Sequence, residues 1–422
     1  MSLIVIFTVL IFLHSLVSRR LERTVVTAPI VFTAVGMLIE LCFPGSWQLR
    51  VGKGTFLSLA EAGLVLLLFT DASRTNLQVL KNIRGLPARL LSTGMLLTIL
   101  LGAMGALLIF PKLTIWEAGI LAAILAPTDA GLGQIIVSSS RVPMKIRQAL
   151  NVEAGLNDGL SVPFLLFFIA LAVGGSEGEA ASFTRFMVEQ LGGGAVLGLA
   201  VGGLGGWLLG LAQRREWVAD SWQQLGVVVL PLLCLLLSEF VGASMFIAAF
   251  VAGLAVQPGF KEAGKHSVEF TEGWGQLFNL SVFFLFGLLV AQSLSQFNAG
   301  HVCYAVLSLT VIRMLPVAIA LIGTKLSRPT ILFMGWFGPR GLASIVLGLV
   351  YLEKETHQPG ESTIRLAVMM TVILSIFAHG LSAVPGMEQY ARRIKRLPAD
   401  APELAVTNDS ELNFAATGKT RR

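Results

Sequence analysis

Residues 125–159 read LAPTDAGLGQIIVSSSRVPMKIRQALNVEAGLNDG. This stretch joins two apolar segments through a basic loop, and each segment carries an aspartate, Asp129 or Asp158, at a depth where a membrane-spanning helix would meet hydrocarbon. An ionised side chain at the centre of such a helix costs about 2.5–3.5 kcal/mol on insertion scales, so it normally marks a cavity, a charged partner or a transported ion. The two aspartates therefore indicate a functional site inside a membrane.

The composition of the whole chain predicts an integral membrane protein. Of its 422 residues, 55% are hydrophobic and only 13% are charged, with a mean hydropathy of +0.77, whereas soluble domains are about 25% charged. The apolar runs are longer and less alternating than barrel strands of about 10 residues. We therefore expect an all-α polytopic membrane protein with about 13 transmembrane helices of about 20 residues each.

The distribution of basic residues predicts the orientation. Lys and Arg gather in the odd-numbered loops, as at Arg19 and Arg20 or at Arg141 and Arg147, whereas the even-numbered loops are poor in them. The positive-inside rule then places the N-terminus outside and the C-terminus in the cytoplasm, as a multi-pass protein of the cell (inner) membrane.

The net charge and the cysteines exclude other classes of function. The formal charge of +6 is spread over short loops and forms no continuous basic surface, so no nucleic-acid partner is expected. Cys42, Cys234 and Cys303 have no paired spacing, which predicts neither a disulfide framework nor a zinc site.

Two related segments predict an internal symmetry. The fifth predicted span contains APTDAGLG and the twelfth contains FGPRGLAS. These spans are seven apart, and because this number is odd they cross the membrane in opposite directions. This is the pattern of two inverted six-helix repeats. Pro127 and Pro339 should interrupt their helices, because proline lacks the backbone donor and clashes with the preceding turn. Asp129 and Arg340 are then expected to compensate the exposed ends of the half-helices.

Polar residues of the sixth span predict a cation site. Glu153 and Asn157 are four residues apart on one helix face, and Asp158 and Ser161 form the adjoining stripe. Oxygen ligands suit a hard cation such as Na+, whereas His or Cys clusters, typical of zinc or copper, are missing from the sequence motif. Thr128 could add an oxygen from the fifth span. The predicted cation and proton site comprises Asp158, Asn157, Thr128 and Asp129, with Na+ at the first three and Ser161 as an accessory residue.

A buried acid and a buried base suggest how such a site would work. A carboxylate removed from water takes up either a proton or a cation, and we expect Asp158 to be this exchange group. Arg313, in the eleventh predicted span, needs a carboxylate partner, and Glu153 is preferred because Asp158 must stay free. Asp71, at the end of the third span, is either an accessory acid lining an entry funnel or a solvated helix-end residue.

At these residues the chain resembles the monovalent cation:proton antiporters, in the electroneutral sodium/proton exchanger branch that includes bacterial NhaP-type proteins and animal exchangers. The resemblance covers nearly all of residues 1–390, and its specific parts are PTD at 127–129, the E-x-x-x-N-D pattern at 153–158, Arg313, and GPRGLAS at 338–344. It implies a homodimer. Each protomer would have a dimerisation part at about 1–86 and 186–292 and a mobile ion-carrying core at about 87–173 and 300–386. Separately, the polar composition of the C-terminal end predicts a short, disordered cytoplasmic tail at 391–422.

The resemblance also implies the activity. The chain is expected to be a transporter and not an enzyme, to need no cofactor and to lie in membrane lipid. It would exchange a monovalent cation for H+ by alternating access. This exchange would contribute to pH and sodium homeostasis. The presence of Asn rather than Asp at position 157 resembles the electroneutral branch, in which one cation is exchanged for one proton. Ala154 stands where related bacterial sequences often have a Ser ligand, so the choice among Na+, Li+ and K+ stays open. A K+/H+ antiporter or K+ efflux protein is the alternative in the same class, and a cation channel, which needs no titrating acid, is the alternative from another.

Overall fold

The computed structural model describes eleven separate parts of the chain as helices and short connections. The described residues are 3–21, 24–44, 53–74, 85–129, 132, 136, 139–173, 179–259, 264–354, 358–398 and 401–404. The helices are α1 (Leu3–Leu21), α2 (Ala28–Cys42), α3 (Lys53–Ser73), α4 (Gly85–Ile109), α5 (Ile115–Ile124), α6 (Met144–Ala172), α7 (Glu179–Arg214), α8 (Asp220–Val241), α9 (Met245–Val256), α10 (Gly264–Gln292), α11 (Ala299–Ala320), α12 (Arg328–Trp336), α13 (Leu342–Glu353) and α14 (Glu361–Ile394).

The length and composition of these helices confirm an all-helical membrane fold. Within the described ranges, nine helices are long and apolar enough to cross a membrane, and four shorter apolar helices accompany them. Helix α4 contains a π-helical turn at Leu90–Gly94, and α11 is broken at Thr310. Much of the second half of the fifth predicted span, including residues 130–131 and 133–135, lies outside the described residues.

Local sequence signals explain where several helices begin and end. Thr114 and Glu117 form a capping box at the start of α5, in which each side chain accepts a hydrogen bond from the other residue's backbone N–H. Gly242 ends α8 with a φ of +72°, a left-handed conformation that glycine adopts without strain.

The helices pack in two groups. Helices α2, α3 and α7 to α10 contact one another, and so do α4 to α6 and α11 to α14. Close packing within the first group depends on small residues: Gly198 of α7 lies directly against the backbone of Ala248 in α9, where a Cβ atom would overlap the Ala248 carbonyl. The two groups meet where α3 contacts α13 and where α9 contacts α6. The dimerising and ion-carrying roles assigned to these ranges remain predictions.

The C-terminal segment differs from the prediction. Helix α14 continues to Ile394 because Met387, Tyr390 and Ile394 recur at helical spacing and are buried in an apolar cluster with Phe333. Residues 401–404 then pack against the protein, where Lys145 Nζ donates a 2.9 Å hydrogen bond to the Pro402 carbonyl. The predicted disorder from residue 391 is therefore wrong for 391–398 and 401–404, and residues 405–422 lie outside the described residues.

Candidate ion-binding site

Two interrupted helices meet at the centre of the site. Helix α5 ends at Ile124 and α12 ends at Trp336, and residues 125–129 and 337–341 are not α-helical. The backbone N–H of Asp129 donates a 2.8 Å hydrogen bond to the carbonyl of Pro339. The two non-helical segments are therefore joined directly, which satisfies backbone groups that the interruptions release.

Arg340 lies against the C-terminal end of α5. Its side chain is fully buried, and Nη1 donates hydrogen bonds of 2.7 Å to the carbonyl of Ala126 and 2.8 Å to the carbonyl of Pro127. These carbonyls extend the negative end of the α5 dipole. The guanidinium therefore supplies positive charge at that helix end.

Asp129 lies against the N-terminal end of α13. Its Oδ2 accepts a 2.6 Å hydrogen bond from the N–H of Leu342, the first residue of α13, and Oδ1 accepts a 3.3 Å bond from the N–H of Leu132. A carboxylate at a helix N-terminus is stabilised by the positive end of the dipole. The structure thus places Asp129 and Arg340 beside the half-helix ends where the sequence predicts compensating charges.

The two glycines of the GPRG segment make room for these charged groups. A Cβ atom at Gly338 would overlap the guanidinium of Arg313, and one at Gly341 would overlap the carboxylate of Asp129. Both positions therefore require a residue without a side chain, which gives a packing reason for the motif at 338–341.

Glu153 and Arg313 form a buried ion pair between α6 and α11. Arg313 Nη1 lies 2.6 Å from Glu153 Oε1, and the two residues are only 4% and 2% exposed. The structure brings together the partners that the sequence predicts. Because each charge neutralises the other, the pair itself carries no net charge.

Asp158, Asn157 and Thr128 lie together beside the crossing. Asn157 Nδ2 donates a 2.8 Å hydrogen bond to Thr128 Oγ1. All three residues are buried, and within the described residues Asn157 Oδ1 and Asp158 Oδ1 have no hydrogen-bond partner. Ser161 Oγ donates instead to the Asn157 carbonyl at 2.8 Å, so its hydrogen is used within its own helix. Two oxygen atoms are thus available for a ligand.

Asp158 differs from the other buried charges of the site. Within the described part of the chain it forms no salt bridge, whereas Glu153 is paired with Arg313. Asp158 is therefore the carboxylate whose charge is not balanced by a direct protein partner.

Asp71 lines a cavity beside the site. The cavity has a volume of about 450 Å³, and its wall includes Asp71 of α3, Leu132, His14, Thr27 and Asn279. Leu132 connects it to the interrupted segment, since its N–H is bonded to Asp129. Asp158 itself is not part of the wall.

Two residues of α14 that the sequence analysis missed support the crossing. The N–H of Arg340 donates a 2.6 Å hydrogen bond to Ser375 Oγ, and Ser375 Oγ lies 3.1 Å from His379 Nδ1. His379 Nε2 donates a 2.9 Å bond to the carbonyl of Trp336, the last residue of α12. A Ser and a His four residues apart in an apolar span were the available signal, because such a pair shares a helix face and is costly to bury without partners.

The chain is similar to curated cation/proton antiporters. An uncharacterised Na+/H+ exchanger of Escherichia coli (strain K12) is 32% identical over 152 residues, which are 35% of this chain and 27% of that protein. A K+/H+ antiporter of Shewanella oneidensis is 26% identical over 375 residues, covering 87% of this chain and 63% of that protein. The chain spans between 27% and 65% of the length of the first three curated relatives.

A solved structure has the same fold. The structure of a sodium proton antiporter from Methanocaldococcus jannaschii matches with a TM-score of 0.72 at 20% identity, covering 92% of this chain and 98% of that one. The family model described as sodium/hydrogen exchanger, transmembrane, matches residues 4–389. This match covers most of the chain, and the chain therefore belongs to the transmembrane sodium/hydrogen exchanger family.

Proposed function

We propose that this chain exchanges a monovalent cation for a proton at Asp158. The observation that carries the proposal is that Asp158 is buried without a salt-bridge partner in the described residues, whereas Arg313 is held by Glu153. Arg340 is bonded to backbone carbonyls of the interrupted helix, so it does not neutralise Asp158 directly. One carboxylate is thus left to bind either a cation or a proton.

The charge of the site favours one-for-one exchange. With a proton or a monovalent cation bound, Asp158 is neutral, and without either it carries a charge that is costly to move through an apolar interior. The site therefore moves between the two sides of the membrane readily when it holds a proton or a cation, and not when it is empty. Exchange of one cation for one proton moves no net charge, which makes the proposed antiport electroneutral.

The oxygen donors favour Na+ or Li+ as the cation. Asp158 Oδ1 and Asn157 Oδ1 are buried and available, and Thr128 Oγ1 is held close by its bond to Asn157. Carboxylate, amide and hydroxyl oxygens suit hard cations. K+ is the second candidate, because the Shewanella oneidensis relative that matches 87% of this chain is a K+/H+ antiporter.

Alternating access would load the site from each side in turn. In the orientation that the basic loops predict, the cavity lined by Asp71 is on the cytoplasmic side, and we propose that it is the inner entry route for ions. The proposed setting is a homodimer in the cell membrane that contributes to pH and sodium homeostasis.

The test uses the purified full chain in liposomes with an imposed pH gradient. Addition of Na+ or Li+ should dissipate the gradient, at a rate that an imposed membrane potential does not change. Asp158→Asn should abolish the response, because an amide takes up neither ion, whereas Glu239→Gln, which alters an exposed carboxylate of α8, should keep it. Full proton-coupled transport by Asp158→Asn would refute the assignment.

The same assay separates the alternatives. A response to K+ at a lower concentration than to Na+ would identify a K+/H+ antiporter. A cation flux that continues without an opposite proton flux would identify a channel instead of an antiporter.

A further inference from the structure

The C-terminal half of α14 forms one wall of an open groove of about 670 Å³. One end of this groove, which we call the α14 groove, is lined by Trp336, Ser382 and Pro385, and the other by Arg392, Arg393 and Arg396. Ser382 and Arg393 are separated by about 16 Å along α14, at a rise of about 1.5 Å per residue, and Arg396 follows just after the helix ends at Ile394. The groove therefore runs lengthwise along the helix, with chemically different ends.

The arginine end has an excess of positive charge. Arg393 and Arg396 form no salt bridge with any described residue, and Arg392 forms only a long one of 4.0 Å with Glu388. None of the described residues that line the groove is acidic. Guanidinium groups bind phosphate oxygens through paired N–H donors, so this end is suited to a phosphate-bearing ligand.

The other end is suited to hydrocarbon. The Trp336 indole is half-buried, and its polar N–H is already used in a 2.9 Å hydrogen bond to Ser382 Oγ, which leaves the ring as an apolar surface. The exposed ring of Pro385 continues this surface along α14. A soluble phosphate compound would use the arginine end alone and leave these apolar groups in contact with solvent.

We propose that the α14 groove binds an anionic phospholipid, with the phosphate on Arg392, Arg393 and Arg396 and one acyl chain along Pro385 and Trp336. The length of the groove is comparable to one leaflet, since the hydrocarbon core of a bilayer is about 30 Å across both leaflets. Basic pockets at the membrane boundary of helical proteins bind such headgroups. The charge complementarity at one end and the apolar surface at the other select a lipid over a soluble anion.

The lipid would contact the interrupted helix through Trp336. This residue ends α12, and its carbonyl accepts the hydrogen bond from His379 Nε2. His379 in turn lies against Ser375, which accepts from the N–H of Arg340. A bound lipid would thus be linked to the crossing of the interrupted helices by a short series of direct contacts. The binding of the lipid does not depend on which cation is exchanged.

The test is native mass spectrometry of the delipidated full chain titrated with phosphatidylglycerol or phosphatidylcholine. The variant Arg393→Gln with Arg396→Gln removes two unpaired charges from the groove. Its matched control is Arg19→Gln with Arg20→Gln, which removes two exposed arginines from the last turn of α1. Because a basic residue near an anionic surface contributes about 1 kcal/mol, the groove variant should bind phosphatidylglycerol about 30-fold more weakly, and the control should bind almost as the parent does.

A second variant tests the groove without removing an arginine. Gln389→Glu places a negative charge in the exposed wall between the two ends and should also weaken phosphatidylglycerol binding. Equal losses in the groove variant and the α1 control would overturn the proposal in favour of diffuse attraction to the protein surface. Equal affinity for phosphatidylcholine would also overturn it, and so would displacement of the lipid by inorganic phosphate at matching concentration, which would indicate a site for soluble anions.

Discussion

The backbone N–H of Asp129 donates a 2.8 Å hydrogen bond to the carbonyl of Pro339, so the two interrupted helices are joined at their crossing by main-chain atoms. Side chains complete the junction in a reciprocal way. Arg340 from one interruption bonds the carbonyl end of α5, and Asp129 from the other bonds the N–H end of α13. Each interrupted segment thus carries the charge that the other segment's helix end requires.

Asp129→Asn should destabilise this crossing. The amide keeps one acceptor oxygen, but it loses the charge and the second acceptor that now serve the N–H groups of Leu342 and Leu132. A hydrogen bond to a charged group contributes about 1.5–3 kcal/mol, so the thermal unfolding temperature in detergent should fall. Glu388→Gln, which alters an exposed salt bridge to Arg141, is the control and should change it little. An unchanged unfolding temperature for Asp129→Asn would contradict the role of the carboxylate.

Reversal of either charge of the Glu153–Arg313 pair should be severe. A buried ion that loses its partner costs about 3–5 kcal/mol, because the remaining charge stays out of water. Glu153→Arg and Arg313→Glu should each reduce the yield of monodisperse protein, and the double exchange should restore part of it. If neither single change nor the double change alters folding or transport, the pair has no role.

Thr128→Val should weaken cation binding and leave the fold intact. Valine has nearly the same shape, but it cannot accept the 2.8 Å hydrogen bond that positions Asn157. We expect a higher KM for the transported cation in the liposome assay, with an unfolding temperature close to that of the parent. Thr98→Val is the matched control, because this buried hydroxyl only donates to the Gly94 carbonyl of its own helix. Equal KM values for the two variants would contradict the prediction.

His379→Leu should lower stability through the end of α12. The change removes the 2.9 Å hydrogen bond from His379 Nε2 to the Trp336 carbonyl, which keeps only its bond from the Gly338 N–H. It also removes the imidazole that lies 3.1 Å from Ser375 Oγ. Each intramolecular hydrogen bond contributes about 0.5–1.5 kcal/mol. Thermal unfolding measures the loss, and Thr371→Val on the same helix, whose hydroxyl bonds only the Ala367 carbonyl, is the comparison. A smaller loss for His379→Leu than for Thr371→Val would count against the support role.

Glu403 should make the docked C-terminal segment sensitive to acid. Burial raises the pKa of the Glu403 carboxyl, but hydrogen bonds from Ser327 and Thr330 outweigh burial and hold the pKa below its ordinary value of 4.5. A carboxyl with a lowered pKa stabilises the folded state at pH above its ordinary pKa, and this contribution is lost as the pH falls through the folded-state pKa. Glu403→Gln should therefore unfold at a lower temperature than the parent at pH 7.

The difference between Glu403→Gln and the parent should shrink as the measurement moves to acid pH. The carboxylate also faces the start of α12, where Ser327 is the N-cap, so its charge is favourable there. Glu388→Gln again provides a control that should show no comparable pH dependence. A difference that grows towards acid pH would have the wrong sign for this contact.

Much of the site could be predicted from the sequence because burying polar groups in apolar helices is costly. Asp129, Asp158 and Arg313 were conspicuous in apolar runs, and the helical period placed Glu153 and Asn157 on one face. The bridge between Ser375 and His379 was missed because a hydroxyl and an imidazole in a span are less costly than a formal charge. The docking of Glu403 was missed because polar terminal residues are ordinarily solvated.

The sequence by itself determined that the chain is a polytopic helical membrane protein, that its helices break near Pro127 and Pro339, and which charged residues need partners. These properties follow from composition, helical period and proline geometry, all of which act locally. Only the tertiary structure decided which partners meet: Arg340 with the carbonyls at 126 and 127, Asp129 with the start of α13, and Glu403 with the start of α12. Several residues could satisfy each of these groups chemically, and the choice depends on which helix ends the long-range packing brings within hydrogen-bond distance.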